Sequence, residues 1–281
     1  MAPQPAPTHA AANDEALLER IVHTIGGVTG VRTIVLGGSR ARGEATKHSD
    51  YDVGLYYEPH SPIDTGALGR AIATMPGPVT SQVTALGEWG PWINGGAWLT
   101  IDGKRVDLLY RDLAKVRSVI ATCRAGRIER AYQPGHPHAF ISAIYMGELA
   151  LAQVLWDPDQ VLMPLRRQCD PYPEVLGEAL IRSFFWEARF AVENAEHGRG
   201  PTDPNYVAGC IFRAVACLCQ TLFAANRVYL LNEKGAVPGV EKLKRHPPGF
   251  AERVAEIHRL GAAGLPALNG LIDDVEALLK A

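Results

Sequence analysis

The chain is 281 residues long, room for one large domain or two ordinary ones, and its 47% hydrophobic and 21% charged residues suit a globular protein that buries a sizeable core. Its 28 basic and 30 acidic residues give a formal net charge of -2, without the basic excess of a dedicated nucleic-acid binder; Arg40, Arg42, Lys47 and His48 form one local basic cluster. Five cysteines, an odd number with no C-x-x-C spacing, argue against a zinc site or disulfide framework and for free buried thiols in a reducing cytoplasm.

Residues 1–13 are rich in Ala and Pro, lack the basic start and apolar run of a signal peptide, and are expected to form a disordered tail. No stretch of about 18 apolar residues appears, so no membrane span is expected. Leu17, Leu18, Ile21 and Val22 recur at helical spacing, which predicts a helix over Asp14–Thr24, capped by Asn13 or Asp14 and ended by Gly26, Gly27 and Gly30. Val31–Leu36 is a short β-branched run that reads as a buried strand. Gly37-Gly38-Ser39 follows as a tight turn, and Arg40–Ser49 is polar. Tyr51–Tyr57 is strand-like, with Asp50 and Asp52 at its start; Asp64–Met75 looks helical and Val79–Leu86 extended. Ala97–Ile101 and Lys104–Tyr110 flank Asp102-Gly103, which suits a type I′ hairpin turn because both central residues need positive φ.

The second half changes character. Ala139–Leu155, Glu174–His197, Val207–Leu231, Ala251–Arg259 and Leu265–Lys280 show helical periodicity, with Pro/Gly-rich breaks at 133–137, 157–173, 198–204 and 235–249. The expected organisation is α+β: a tail over 1–13, a domain with a mixed sheet and flanking helices over 14–132, and a C-terminal α-helical bundle domain over 133–281.

Side chains in a strand alternate faces, so Asp50 and Asp52 project together. Two carboxylates at that range repel unless a cation lies between them, and an oxygen-rich site suits Mg²⁺. An Asp-x-Asp pair alone is a weak signal, but its setting strengthens it. Gly38 follows a buried strand and lets a phosphate approach the backbone, whose N–H groups and the Ser39 hydroxyl donate to phosphate oxygens. Arg40 and Arg42 add guanidinium forks suited to phosphate.

The run Val35-Leu36-Gly37-Gly38-Ser39-Arg40-Ala41-Arg42-Gly43-Glu44, followed by Ser49-Asp50-Tyr51-Asp52-Val53, resembles the signature of the DNA polymerase β-like nucleotidyltransferase superfamily. The Arg-Ala-Arg-Gly form is similar to the small bacterial branch of antibiotic and minimal nucleotidyltransferases. Gly37 departs from the pattern, which usually has an aromatic or apolar residue there. The resemblance implies that Gly38 and Ser39, with Arg40, Arg42 and Ser49, hold a triphosphate, ATP by default, and that Asp50 and Asp52 share two Mg²⁺ ions with a third carboxylate. Gly103–Tyr110 matches the element that carries the third acid. Val106, Leu108 and Tyr110 share one face of that strand, which leaves Asp107 on the other, where a lone Asp needs a cation or a hydrogen-bond partner. The implied reaction joins a nucleoside monophosphate to an acceptor hydroxyl and releases pyrophosphate by in-line displacement.

Some antibiotic-modifying members use a further glutamate as general base. Glu148, on a helical face with Ile144, Tyr145 and Ala152, is the first candidate; Glu187 and Glu88 follow, and a plain surface glutamate is the competing reading of each. The three tryptophans within Glu88–Trp98 fit either a stacking substrate loop or core. Ala208–Leu231 reads as helix packing, and the R-x4-H spacing of Arg253 and His258, found in some helical ribonuclease domains, is common by chance. The leading expectation is an enzyme that nucleotidylates a small hydroxylated molecule, aminoglycoside-like or lincosamide-like. A toxin–antitoxin-type enzyme acting on a protein or tRNA, or a nucleotide-binding relative without turnover, are the alternatives, and a homodimer is compatible with either.

Overall fold

The computed structural model describes residues 9–197 and 203–281. In chain order, α1 (His9–Ile25) leads to β1 (Thr33–Leu36), α2 (Gly38–Ala41), β2 (Tyr51–Tyr57), α3 (Thr65–Ala73), β3 (Val79–Val83), α4 (Gly90–Ile93), β4 (Gly96–Ile101) and β5 (Lys104–Asp112). Next come α5 (Leu113–Arg124), β6 (Arg130–Gln133), β7 (His136–Ile141), α6 (Ile144–Leu151), β8 (Gln153–Trp156) and α7 (Leu162–Cys169). The chain closes with α8 (Glu174–His197), α9 (Pro204–Ala225), α10 (Ala236–Val240), α11 (Phe250–Leu260) and α12 (Leu265–Lys280).

Of the expected tail, residues 1–8 lie outside the described residues, as do 198–202 of the expected break at 198–204. Residues 9–13 are helical instead, since an Ala-rich run favours extension of α1 backwards. Asp14 therefore sits inside the helix rather than capping it.

The chain divides into two units, 1–118 with 148–166, and 119–147 with 167–281. The boundary expected at 132/133 is displaced: 119–132 belongs to the second unit, while 148–166 returns to the first because β8 pairs with β1.

The first unit is built on a six-stranded mixed sheet in the order β3-β4-β5-β2-β1-β8. Only β2 and β5 run parallel; the other neighbours are antiparallel. Strand alternation splits the sheet into two faces. Tyr51, Val53 and Leu55 of β2, Ala97, Leu99 and Ile101 of β4, and Val106, Leu108 and Tyr110 of β5 join one core with Leu17 and Ile21 of α1 and Leu68 and Ile72 of α3. The opposite face presents Asp52, Trp98 and Asp107. The β4–β5 hairpin turns as expected, with φ of 50° at Asp102 and 75° at Gly103. The side chain of Asp64 caps α3 by accepting from the Ala67 amide at 2.8 Å.

In the second unit α8 and α9 form the central helix pair. Leu180, Phe184, Ala188, Ala191 and Ala195 line one buried stripe of α8. Helix α9 is long and apolar enough to pass for a membrane span by composition, contrary to expectation, but 61% of its most apolar window is buried inside the fold. The helix expected over 139–155 is instead the end of β7, α6 and β8. Its apolar run satisfies both periodicities, and pairing decided: Phe140 and Ile141 face β6, while Val154 faces β1. Helix α5 escaped the sequence reading although Leu113, Val116, Ile120 and Cys123 are buried at helical spacing. Helix α7 lies inside 157–173, where the sequence predicts a break.

Candidate active site

The parallel register of β2 and β5 places Asp52 directly opposite Asp107, both on the sheet face away from α1 and α3. Asp50 stands just before β2. Burial, then the charges of Asp107, Asp50 and Glu148, push the Asp52 carboxyl up to about 6, against a smaller opposing pull from Arg42. Burial and Asp50 raise Asp107 as well, opposed by Arg105. Arg105, itself well exposed, sets its Nε 2.6 Å from Asp50 Oδ1. The three acids predicted from sequence thus converge, as a cluster whose mutual repulsion the protein offsets only in part.

The turn after β1 closes against this cluster. The Gly37 amide donates to the Asp52 carbonyl at 2.7 Å. Gly38 has φ of 61°, and a Cβ there would fall 1.8 Å from Asp52 Oδ2. Only glycine allows the backbone and the carboxylate to approach so closely. Gly37, by contrast, has room: the nearest atom to an added Cβ would be 3.6 Å away, so its departure from the family pattern alters no contact of the turn. Among the described residues the Ser39 hydroxyl makes no hydrogen bond, while its carbonyl accepts from the Glu44 amide at 2.9 Å.

Arg40 does not serve as a phosphate fork. Its Nε donates to the Asp50 carbonyl (3.2 Å), Nη1 to Asp14 (2.7 Å) and Nη2 to the Ser49 carbonyl (2.8 Å), and the guanidinium lies 3.6 Å from the Tyr51 ring centroid. With its donors engaged and its side chain 14% exposed, it ties the loop before β2 to α1. Tyr51 and Lys104 also bond Asp14, which completes the brace. Ser49 is likewise a loop residue, its hydroxyl accepting from the Thr46 amide at 2.9 Å. Arg42 pairs with Glu44 at 3.0 Å, and its charge reaches Asp52.

Glu148 reaches the cluster electrostatically, yet it is bound through both oxygens: Arg111 Nε donates to Oε2 at 2.8 Å and Nη2 to Oε1 at 2.7 Å. Arg111 is 3% exposed, so this bidentate pair is a largely buried brace, with both carboxylate oxygens engaged. Glu88 caps a turn by accepting from the Ala85 amide at 2.8 Å. Glu187 lies in the second unit, gripped by Arg130 and Arg213. It neighbours His138 and Cys217, a donor set that could hold a metal, but two guanidinium groups already neutralise its carboxylate. Arg253 pairs with Asp274 at 2.6 Å.

The tryptophans divide. Trp92 is core, whereas Trp98 is 48% exposed and faces the cluster side, opposite Asp107 on β4. Trp89 packs on Trp98 with ring centroids 4.4 Å apart. Strand alternation together with the hairpin register would have placed Trp98 beside Asp107.

Residues 17–123 match the family model described as a nucleotidyltransferase domain. No curated protein matches the chain. Among solved structures, a nucleotidyltransferase-like protein from Exiguobacterium sibiricum 255-15 aligns with 11% identity and a TM-score of 0.41, over 95% of this chain and 74% of that one.

Proposed function

We propose that this chain, whose residues 17–123 match the model of a nucleotidyltransferase domain, is a polymerase β-like enzyme that transfers a nucleoside monophosphate, AMP from ATP in the first instance, to a hydroxyl of a small molecule. The observation that carries this reading is the Asp52–Asp107 pairing across parallel strands with Gly38 closed against Asp52. Carboxylates that bury and repel one another fit a divalent cation, and an all-oxygen donor set fits Mg²⁺. Asp50, Asp52 and Asp107 would hold the ions. When bound, these ions would polarise the reacting phosphate and shield its developing charge.

The chain's own residues do the rest. The Gly38–Ser39 backbone and the Ser39 hydroxyl receive the triphosphate, and Arg42 draws the leaving pyrophosphate. The acceptor oxygen forms its bond to the α-phosphorus as the bond to the bridging oxygen breaks. The hydroxyl proton passes to Asp107, which stands opposite Asp52 on the neighbouring strand. Arg111 and Glu148 brace the strand that carries Asp107. Trp98, backed by Trp89, offers a flat apolar surface beside Asp107 that suits a sugar ring or other compact scaffold.

Incubation with α-phosphate-labelled nucleoside triphosphates, Mg²⁺ and a panel of aminoglycosides, lincosamides and bulk tRNA tests the reading. Label is expected on a small hydroxylated acceptor, and its transfer is expected to vanish in a folded Asp52→Ala variant. Label on tRNA alone would replace the acceptor class, and transfer undiminished by Asp52→Ala would overturn the site.

A further inference from the structure

The second unit holds a half-open cavity of about 230 Å³. Apolar side chains, among them Ile141, Ile144, Phe212, Val215, Val237 and Val254, make most of its wall. An apolar cavity of ~150 Å³ already holds benzene, so this one has room for a fused bicycle.

Five polar residues, His138, Gln220, Asn232, Glu233 and His258, interrupt the wall, and Asn232 Oδ1 already accepts from the Lys234 amide at 2.8 Å. Glu233 is already satisfied: its Oε1 accepts from the amides of His138 (2.9 Å) and Ala139 (3.2 Å), and His136 Nδ1 lies 3.2 Å from Oε2. The cavity therefore makes no demand for a cation. Gln220 differs. It is 6% exposed, it lines the cavity from α9, and among the described residues its amide has no hydrogen-bond partner. Its neighbour Thr221, also buried, donates to the Cys217 carbonyl at 2.8 Å, so the lack of a partner is particular to the side chain that borders the cavity. His138 adds a second case: its Nδ1 is buried without a partner, while Nε2 lies 3.8 Å from Cys217 Sγ. Buried polar groups are almost always paired, and an apolar wall around unpaired ones is the form of a small-molecule site.

We propose that this cavity binds a compact, neutral, fused-ring molecule that presents a lactam-type donor–acceptor edge to Gln220. A primary amide donates and accepts in one plane, and a lactam edge returns both bonds at once. The site shares no residue with the Asp50, Asp52 and Asp107 cluster, so it stands whether or not nucleotidyl transfer does.

Calorimetric titration of the full chain with 2-quinolone tests it, with N-methyl-2-quinolone, which lacks the donor, as the paired probe. Saturable one-to-one binding is expected, about tenfold or more tighter than for the N-methyl probe. Gln220→Leu is expected to erase that preference. Ala216→Phe, which fills the cavity, is expected to abolish binding without lowering Tm, and serves if Gln220→Leu fails to fold. Asp52→Asn is expected to bind 2-quinolone as the parent does. No binding of 2-quinolone up to its solubility, equal binding of the two probes by the parent, or undiminished binding by Ala216→Phe would each overturn the proposal.

Discussion

Asp52→Asn should separate stability from activity. In the metal-free protein, burial and the charges of Asp107, Asp50 and Glu148 lift the Asp52 carboxyl from 3.8 to about 6. A displacement of that size corresponds to at most about 3 kcal/mol between the ionised and neutral forms. The folded value lies above the unfolded one, so the folded protein keeps its proton longer as the pH rises. Stability is full below about pH 4 and declines as the pH climbs through about 6. Asn has the shape of the neutral acid and does not ionise. At pH 7.5 in EDTA the variant is therefore expected to be about 2–3 kcal/mol more stable than the parent, roughly 5–10 °C in Tm for a chain of this size. At pH 4 the two should coincide. Saturating Mg²⁺ or Mn²⁺ should reverse the order at pH 7.5, because the parent gains more from the ion, and the variant should transfer no nucleotide. Thermal scans from pH 4 to 8, with EDTA and then with metal, read all of this. A variant that melts below the parent at pH 7.5 in EDTA, or a gap that ignores pH, would refute the repulsion argument.

Gly38→Ala places a methyl group against Asp52 Oδ2 and imposes a left-handed backbone on alanine; kcat/KM is expected to fall by about 100-fold or more, with about 1–2 kcal/mol lost in stability. Steady-state kinetics and chemical unfolding check both. Glu148→Gln breaks the bidentate bond to buried Arg111, with an expected loss of about 2–3 kcal/mol in unfolding free energy, while the acidic limb of the kcat/KM profile stays in place. A general base in that position would instead forfeit about 10²–10⁴ in rate. Arg105→Gln removes the guanidinium that competes for Asp50, so the Mg²⁺ concentration for half-maximal activity is expected to drop by about 2–5-fold.

The parts of the site that were legible in the sequence are those that local geometry dictates. The Gly-Ser turn, the Asp-x-Asp start of β2 and the Asp-Gly hairpin each specify their own backbone, and alternation along β5 puts Asp107 on the face away from the core. The meeting of Asp107 with Asp50 and Asp52 was legible only through the family resemblance, because parallel pairing of β2 with β5 joins strands that are not consecutive. Arg40 shows why residue type alone misleads. A guanidinium suits phosphate and backbone carbonyls equally, and its partner Asp14 arrives from a helix 26 positions earlier. Glu148 meets Arg111 across 37 positions, a contact no helical face could announce. The run Phe140–Met146 is apolar at both periods, so strand pairing rather than periodicity settled it. The cavity beside Gln220 arises from packing among β7, α6, α9, α10 and α11, which no local pattern encodes.

The most direct trial of the three-acid site is Mn²⁺ binding followed by electron paramagnetic resonance, with a non-hydrolysable triphosphate analogue, for the parent and for Asp107→Asn. The parent should bind the ion, and the variant should bind it at least about tenfold more weakly, which corresponds to one lost carboxylate ligand. Equal affinity in the two proteins would contradict the account.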